Sequence, residues 1–173
     1  PYGTGALLVK NQDRLLKSHQ AGADYMQDVL NVEATSPATL SPELTKHFRG
    51  LRLWLPLQIL GVGPFRAALQ EKMLLARYFH EQLSGFNGFE VGPEPDLSVV
   101  TYRFIPDSGD ADTFNERLVQ AIHNDGRIFV SSTRLNGVYM LRMAALCFRT
   151  HKKDIDTALT VLKELSSALN QTH

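Results

Sequence analysis

From residue 64 onward, two hydrophobic periods alternate along the chain. Phe65, Leu69, Met73, Ala76 and Leu83 recur at helical spacing between Pro64 and Ser84, and Gly85 stands where a helix end takes a left-handed residue. Phe89–Val91 is a short apolar run. After a PEPD turn, Leu97–Ile105 alternates, with Val99, Thr101 and Arg103 on one side and Val100, Tyr102 and Phe104 on the other, which predicts a half-buried strand. Asp110 is placed to cap a helix carrying Phe114, Leu118, Ala121 and Ile122, which Gly126 ends. Ile128–Val130 predicts a strand running into SSTRLNG. Asn136-Gly137 is a tight-turn pair suited to a hairpin, with Val138–Ala145 as the returning strand. Thr150 or Asp154 caps a last helix whose Ile155, Leu159, Leu162, Leu165 and Leu169 form one stripe. The order αββαββα predicts a small, largely antiparallel sheet with helices packed on it.

Upstream the pattern is less regular. Ala6–Val9 reads as a short apolar strand entered through Gly3 and Gly5, and Asn11–His19 as a brief helix. No period holds from Gln20 to Pro37, although Tyr25 and Met26 are unusual in a polar loop. Two readings stand: a surface loop with two residues tucked against the body, or a mobile active-site loop. Ser41–Phe65 then predicts a spine between two structural regions. Ser41 is a helix cap and Pro42 suits the first helical position; Leu44, Phe48, Leu51 and Leu55 mark a buried face. Pro56 predicts a kink, and Gly61 and Gly63 end the segment.

Composition narrows the function classes. The 173 residues allow one domain or slightly more, with 43% apolar and 21% charged side chains. Eighteen basic and eighteen acidic residues cancel, so neither nucleic acid nor an anionic membrane is expected as the main partner. No apolar run reaches the roughly 18 residues of a membrane span. Cys147, the single cysteine, can close no internal disulfide, which favours a reducing, cytoplasmic setting; its apolar flank MAALCFR predicts a buried, inert thiol. Metal-ligand spacings, a P-loop and a GxSxG motif do not occur. The opening PYGTGALLVK has no Met and no secretory pattern, and reads as the continuation of something upstream. Arg142 lies in VYMLRMAAL, a strand expected to bury both faces, so its guanidinium needs either an ion pair with Asp154 or Glu164, or an anionic ligand.

In this order and spacing, PYGTGALLVK, FRGLRLWLPLQILGVGPFRAAL, YMLRMAAL and FRTHKKDI resemble the C-terminal third of the group II pyridoxal-phosphate decarboxylases. These include the aromatic-L-amino-acid, histidine and glutamate decarboxylases. The resemblance implies an α/β, fold type I transferase-like architecture. Residues 1–51 would be the tail of the large cofactor-binding domain with its mobile loop, and 52–173 the small C-terminal αβ domain. It implies a homodimeric carboxy-lyase that releases CO2 from an L-amino acid, aromatic as the first choice, with glutamate and 2,4-diaminobutyrate open. Pyridoxal 5′-phosphate is the implied cofactor, but the family's cofactor lysine lies upstream of the position matched by Pro1, and neither Lys10 nor Lys17 matches it. Tyr25 matches a loop tyrosine that protonates the substrate carbon across the dimer interface. Tyr2 matches an aromatic position near the substrate side chain, Thr45 a position close to the neighbouring subunit's cofactor phosphate, and Arg142 an arginine near the active-site mouth. Two other readings stand beside this one. One is a non-enzymatic αβ module docking a partner through the 41–65 helix. The other is a related lyase or desulfurase, against which Trp54 in its LRL setting favours the decarboxylase branch.

Overall fold

The structure, a computed structural model, describes residues 3–19, 40–41, 43 and 45–171. It parts into two compact units, Pro1–Val62 and Gly63–His173.

The second unit has the predicted order. Helix α3 (Gly63–Ser84) leads into β1 (Phe89–Val91) and β2 (Val99–Phe104); α4 (Ala111–Asp125) follows, then β3 (Ser131–Leu135), β4 (Val138–Ala144) and α5 (Lys152–Gln171). The strands form one antiparallel sheet in the order β1-β2-β4-β3. Alternation along β2 turns Val100, Tyr102 and Phe104 inward. Phe79 of α3 packs on Tyr102 and Phe114 of α4 stacks on Phe104, so both helices cover the same sheet face. From α5, Ile155, Leu159, Val161 and Leu162 complete the core. Each of these side chains contributes about 1.5–3 kcal/mol when fully buried, and this unit holds the molecule's contiguous core.

Local chemistry explains the boundaries. Asp110 accepts a hydrogen bond from the Thr113 N–H, and Gly126 closes α4 in the left-handed region at φ 76°. Asn136 and Gly137 both have positive φ, 51° and 85°, and join Leu135 to Val138 in a two-residue hairpin whose twist suits the flanking strands. Where β2 and β4 cease to pair, α4 takes over. The ladder ends at Tyr102↔Leu141, and its register would next join Phe104 to Tyr139. Instead the Asn115 amide accepts from the Phe104 N–H and donates to its carbonyl, at 2.8 and 2.7 Å, while Asp112 accepts from the Tyr139 N–H. Two side chains from one helix replace two rungs of a sheet.

Several expectations fail for physical reasons. The buried stripe of α3 is Lys72, Leu75, Ala76, Phe79 and Leu83, whereas Leu69 is 67% exposed. A lysine in the apolar register shifted the apparent phase of the helix. The first strand of the hairpin begins at Ser131 rather than Ile128. Neither Thr150 nor Asp154 is the cap of α5. The helix starts after His151, and Asp154, in the first turn, reaches back to accept from the His151 N–H. Arg142 is exposed on the uncovered sheet face and donates to Ser131 Oγ at 3.1 Å; Glu164 pairs with Arg127 instead. At Arg142 the strand's outer face is open, although Met140 two residues earlier on that face is buried, and no internal ion pair with Asp154 or Glu164 forms. Cys147 is exposed, because β4 ends at Ala144 and the apolar flank continues into a loop with Leu146 and Phe148 also exposed.

In the first unit, α1 spans Gln12–His19, with Asn11 accepting from the Arg14 N–H at its start. Ala6–Val9 is not a strand; Leu8 is 96% exposed, and no strand among the described residues pairs with this segment. The spine helix does not begin at Ser41. That hydroxyl accepts from the nearby Glu43 N–H, a local turn that competes with helix formation. Helix α2 runs from Leu51 to Leu60, continues across Pro56, and ends at Gly61 with φ 73°. None of its residues is buried among the described residues, and Phe48 is 72% exposed, so the expected buried face does not form there; Leu44 lies outside the described residues. Gly63 opens α3 rather than closing the spine.

Candidate functional site

Tyr2 and Tyr25 lie outside the described residues. Thr45 belongs to the first unit and is exposed, with Lys46 and His47 exposed beside it. Thr45 is a bend and Lys46 and His47 have no regular structure, so the three side chains form an exposed row of donors outside any helix. Arg49 organises this stretch. Its guanidinium makes two bonds to the Glu43 carboxylate, which hold that acid below the usual carboxylate range. The opening residues meet the same stretch. Thr4 Oγ1 donates to the Arg49 carbonyl at 3.2 Å, and Gly3 lies against the Arg52 guanidinium.

Arg142 belongs to the second unit. Its cross-strand neighbours are polar, while Met140 and Ala144 flank it on its own strand. Thr101 is its cross-strand partner on β2 and Ser131 on β3, while Arg103 bonds Glu90 further along. This face presents two guanidiniums, one held by a carboxylate and one by a hydroxyl, an arrangement suited to a carboxylate or phosphate. Thr45 and Arg142 thus fall in separate units.

Lys72, which sequence reasoning left unnoticed, is the one buried lysine among the described residues, at 5% exposure. Its ammonium donates to Glu71 Oε2 at 2.9 Å and to the carbonyls of Phe148 and Thr150. Three acceptors use all three N–H groups, so this lysine is a structural tie to the β4–α5 link and has no proton or lone pair to spare for a carbonyl compound. The one signal in the sequence was a lysine in register with Ala76, Phe79 and Leu83. Glu71 also takes a bond from His151 Nδ1, and the His151 and Lys72 contacts hold its carboxyl below the usual range. No group of three or more His, Cys, Asp or Glu residues among those described could hold a metal.

The described residues therefore offer anion donors, at Thr45–His47 and on the Arg142 face, but no amine placed to bind a carbonyl cofactor. The comparison with known proteins gives this arrangement its context. The profile of the pyridoxal-dependent decarboxylase conserved domain matches residues 1–105. This chain belongs to that family. Its relatives include an aromatic-L-amino-acid decarboxylase of Bacillus atrophaeus, 29% identical over 98% of this chain and 37% of that protein. Tyrosine decarboxylase 2 of Arabidopsis thaliana is 28% identical over 93% of this chain and 30% of that protein. Among solved structures, tryptophan decarboxylase of Catharanthus roseus with L-tryptophan superposes with a TM-score of 0.75 at 24% identity, over 93% of this chain and 34% of its own. Oryza sativa TDC with PLP and tryptamine gives a TM-score of 0.80 at 22% identity, over 93% and 35%. The family fold is thus shared, and the chain spans about a third of the length of these proteins. Membership in a family of decarboxylases favours the carboxy-lyase over the interaction module.

Proposed function

We propose that the chain is the C-terminal portion of a pyridoxal-phosphate-dependent L-amino-acid decarboxylase that works as a cytoplasmic homodimer on an aromatic amino acid. The observation that carries this is the family match over residues 1–105, continued by aromatic-amino-acid decarboxylases aligned over nearly the whole chain. In this reading residues 1–51 are the tail of the large domain and 52–173 the small domain, whose body is the αββαββα unit. No helix among the described residues is long and apolar enough to cross a membrane.

The cofactor, when bound, supplies an electron sink for the pair left on the α-carbon as CO2 departs. Its lysine anchor is not in this chain. Thr45, with its hydroxyl exposed beside Lys46 and His47, would offer hydrogen bonds to the phosphate of the neighbouring subunit's cofactor. Tyr2 would pack near the substrate side chain. Arg142, on the polar sheet face, would steer the anionic substrate at the mouth while leaving its carboxylate free to depart. Tyr25, on a loop that closes over the substrate, would exclude water and deliver a proton to the α-carbon.

The test is made on the full-length protein. It is expected to show the absorbance of bound cofactor and to release CO2 from an L-aromatic amino acid. Tyr25→Phe is expected to lower amine formation by about 10²-fold or more while that absorbance persists. Absence of both cofactor and CO2 release in the wild type would refute the reading, and unchanged turnover in Tyr25→Phe would remove that residue from the chemistry.

A further inference from the structure

Three arginines stand on the strands of the second unit, and two of them are spent on acids. Arg103 pairs with Glu90, and Arg134 with Asp112 and Glu116. Among the described residues Arg142 bonds no carboxylate, and its guanidinium makes one hydrogen bond, from Nε to Ser131 Oγ at 3.1 Å. The sheet sets this contact up. Its register places Ser131 of β3 and Thr101 of β2 directly across from Arg142, so a hydroxyl residue flanks the arginine on either side. Directly opposed side chains leave the sheet about 5 Å apart, within reach of a guanidinium. Thr101 faces the other way. A Cβ at Gly92 would collide with its Oγ1, which lies against the chain leaving β1. Ser131 alone therefore takes the Arg142 Nε.

A guanidinium can meet a carboxylate with two parallel bonds on either of two edges: Nε with its neighbouring Nη, or the two Nη groups together. Ser131 occupies the first edge. The second remains at the exposed tip, and the residues flanking Arg142 on its own strand, Met140 and Ala144, carry no acid to compete for it. We propose that Ser131 is a positioning residue for Arg142, holding Nε so that the Nη1–Nη2 end is the edge offered to the substrate carboxylate. Ser131 touches no reacting atom and acts through the orientation of the arginine. The inference rests on the steering role proposed for Arg142.

The experiment uses the full-length protein with Ser131→Ala, Ser131→Thr, Arg142→Met, and Ser131→Ala combined with Arg142→Met. In Ser131→Ala, KM for the L-aromatic amino acid is expected to rise about fivefold while kcat stays within about twofold, the scale of one exposed hydrogen bond acting on binding and not on chemistry. The inhibition constant of the product amine, which has no carboxylate for Arg142 to meet, is expected to be unchanged. Ser131→Thr keeps the hydroxyl and should restore KM. With Met at position 142 no Nε remains to be held, so Ser131→Ala should raise KM no further. An equal rise in KM and in the amine constant would overturn the inference, since Ser131 would then be shaping the site as a whole. So would a Ser131→Ala effect that persists beside Arg142→Met. A wild type that binds cofactor and releases no CO2 would sink the decarboxylase reading and the substrate role together. An unchanged KM for Ser131→Ala in an active enzyme sinks this inference alone.

Discussion

Replacing Asn115 tests the joint between sheet and helices. The residue is fully buried, and its amide makes three bonds: from the Phe104 N–H at 2.8 Å, and to the carbonyls of Phe104 and Ala111 at 2.7 Å each. Asn115→Ala removes the partner of both polar groups of Phe104. A buried group left unpaired costs about 1–3 kcal/mol, so two of them, with the small void, predict a loss of about 3–5 kcal/mol. The Ala111 carbonyl adds little, being in the first turn of α4 with the helical N–H of Asn115 itself in reach. Asn115→Asp sharpens the test. It keeps the acceptor for Phe104 N–H but aims a carboxylate oxygen at two carbonyl oxygens, which only the protonated acid can satisfy. Its folded pKa must therefore rise above the ordinary value near 4. A folded state that holds the proton more tightly than the unfolded one loses stability as pH rises. The variant should thus be closest to wild type near pH 4 and lose stability progressively toward neutrality, while Asn115→Ala shows no such added slope. Urea unfolding followed by circular dichroism at several pH values measures both. A loss below about 1 kcal/mol for Asn115→Ala, or a flat pH dependence for Asn115→Asp, would refute the account of Asn115 as a substitute ladder rung.

Three further outcomes are expected. Tyr102 is fully buried with no partner for its hydroxyl among the described residues, and burial pushes its pKa well above the usual phenol value, so Tyr102→Phe should be neutral or stabilising by up to about 1–2 kcal/mol in thermal unfolding; a marked destabilisation would reveal a partner. Lys72→Met should cost about 2–4 kcal/mol, because it strips hydrogen bonds from the Phe148 and Thr150 carbonyls, and proteolysis should begin at the β4–α5 link; an intact link would argue against the tie. Glu71 has a carboxyl held below its usual range by His151 first and Lys72 second, so its contribution is present above the ordinary carboxylate pKa and lost as pH falls through the lower folded value. Glu71→Gln should flatten that part of the acid limb of a stability-against-pH curve, and an unchanged limb would show that the bonds to Glu71 carry no linkage.

Much of the second unit was written in short-range pattern. Its element order, the Asp110 cap, the Gly126 stop and the Asn136-Gly137 hairpin all follow from local preferences that a few neighbouring residues decide. The misreadings share one cause: burial depends on what lies opposite, which no single segment encodes. Lys72 looks like a surface residue until Glu71 and two carbonyls from the far end of the unit close around it. Arg142 looks buried until the outer face of its strand proves open at that position, and Cys147 until β4 stops short of it. The 41–65 stretch looked like one helix because its leucines keep helical rhythm, yet side-chain bonds from Ser41 and Glu43 hold the early part in turns, and none of α2's residues is buried among the described residues. The family, with its cofactor class, was legible in residue order and spacing, because those positions are constrained by a larger fold. What only the tertiary structure decided is which charged groups are spent on holding the fold, as with Lys72 and Glu71, and which, as with Arg142 and the Thr45 row, face outward with capacity for an anion. That division is set by long-range packing, where the cost of an unpaired buried charge or polar group outweighs any local preference.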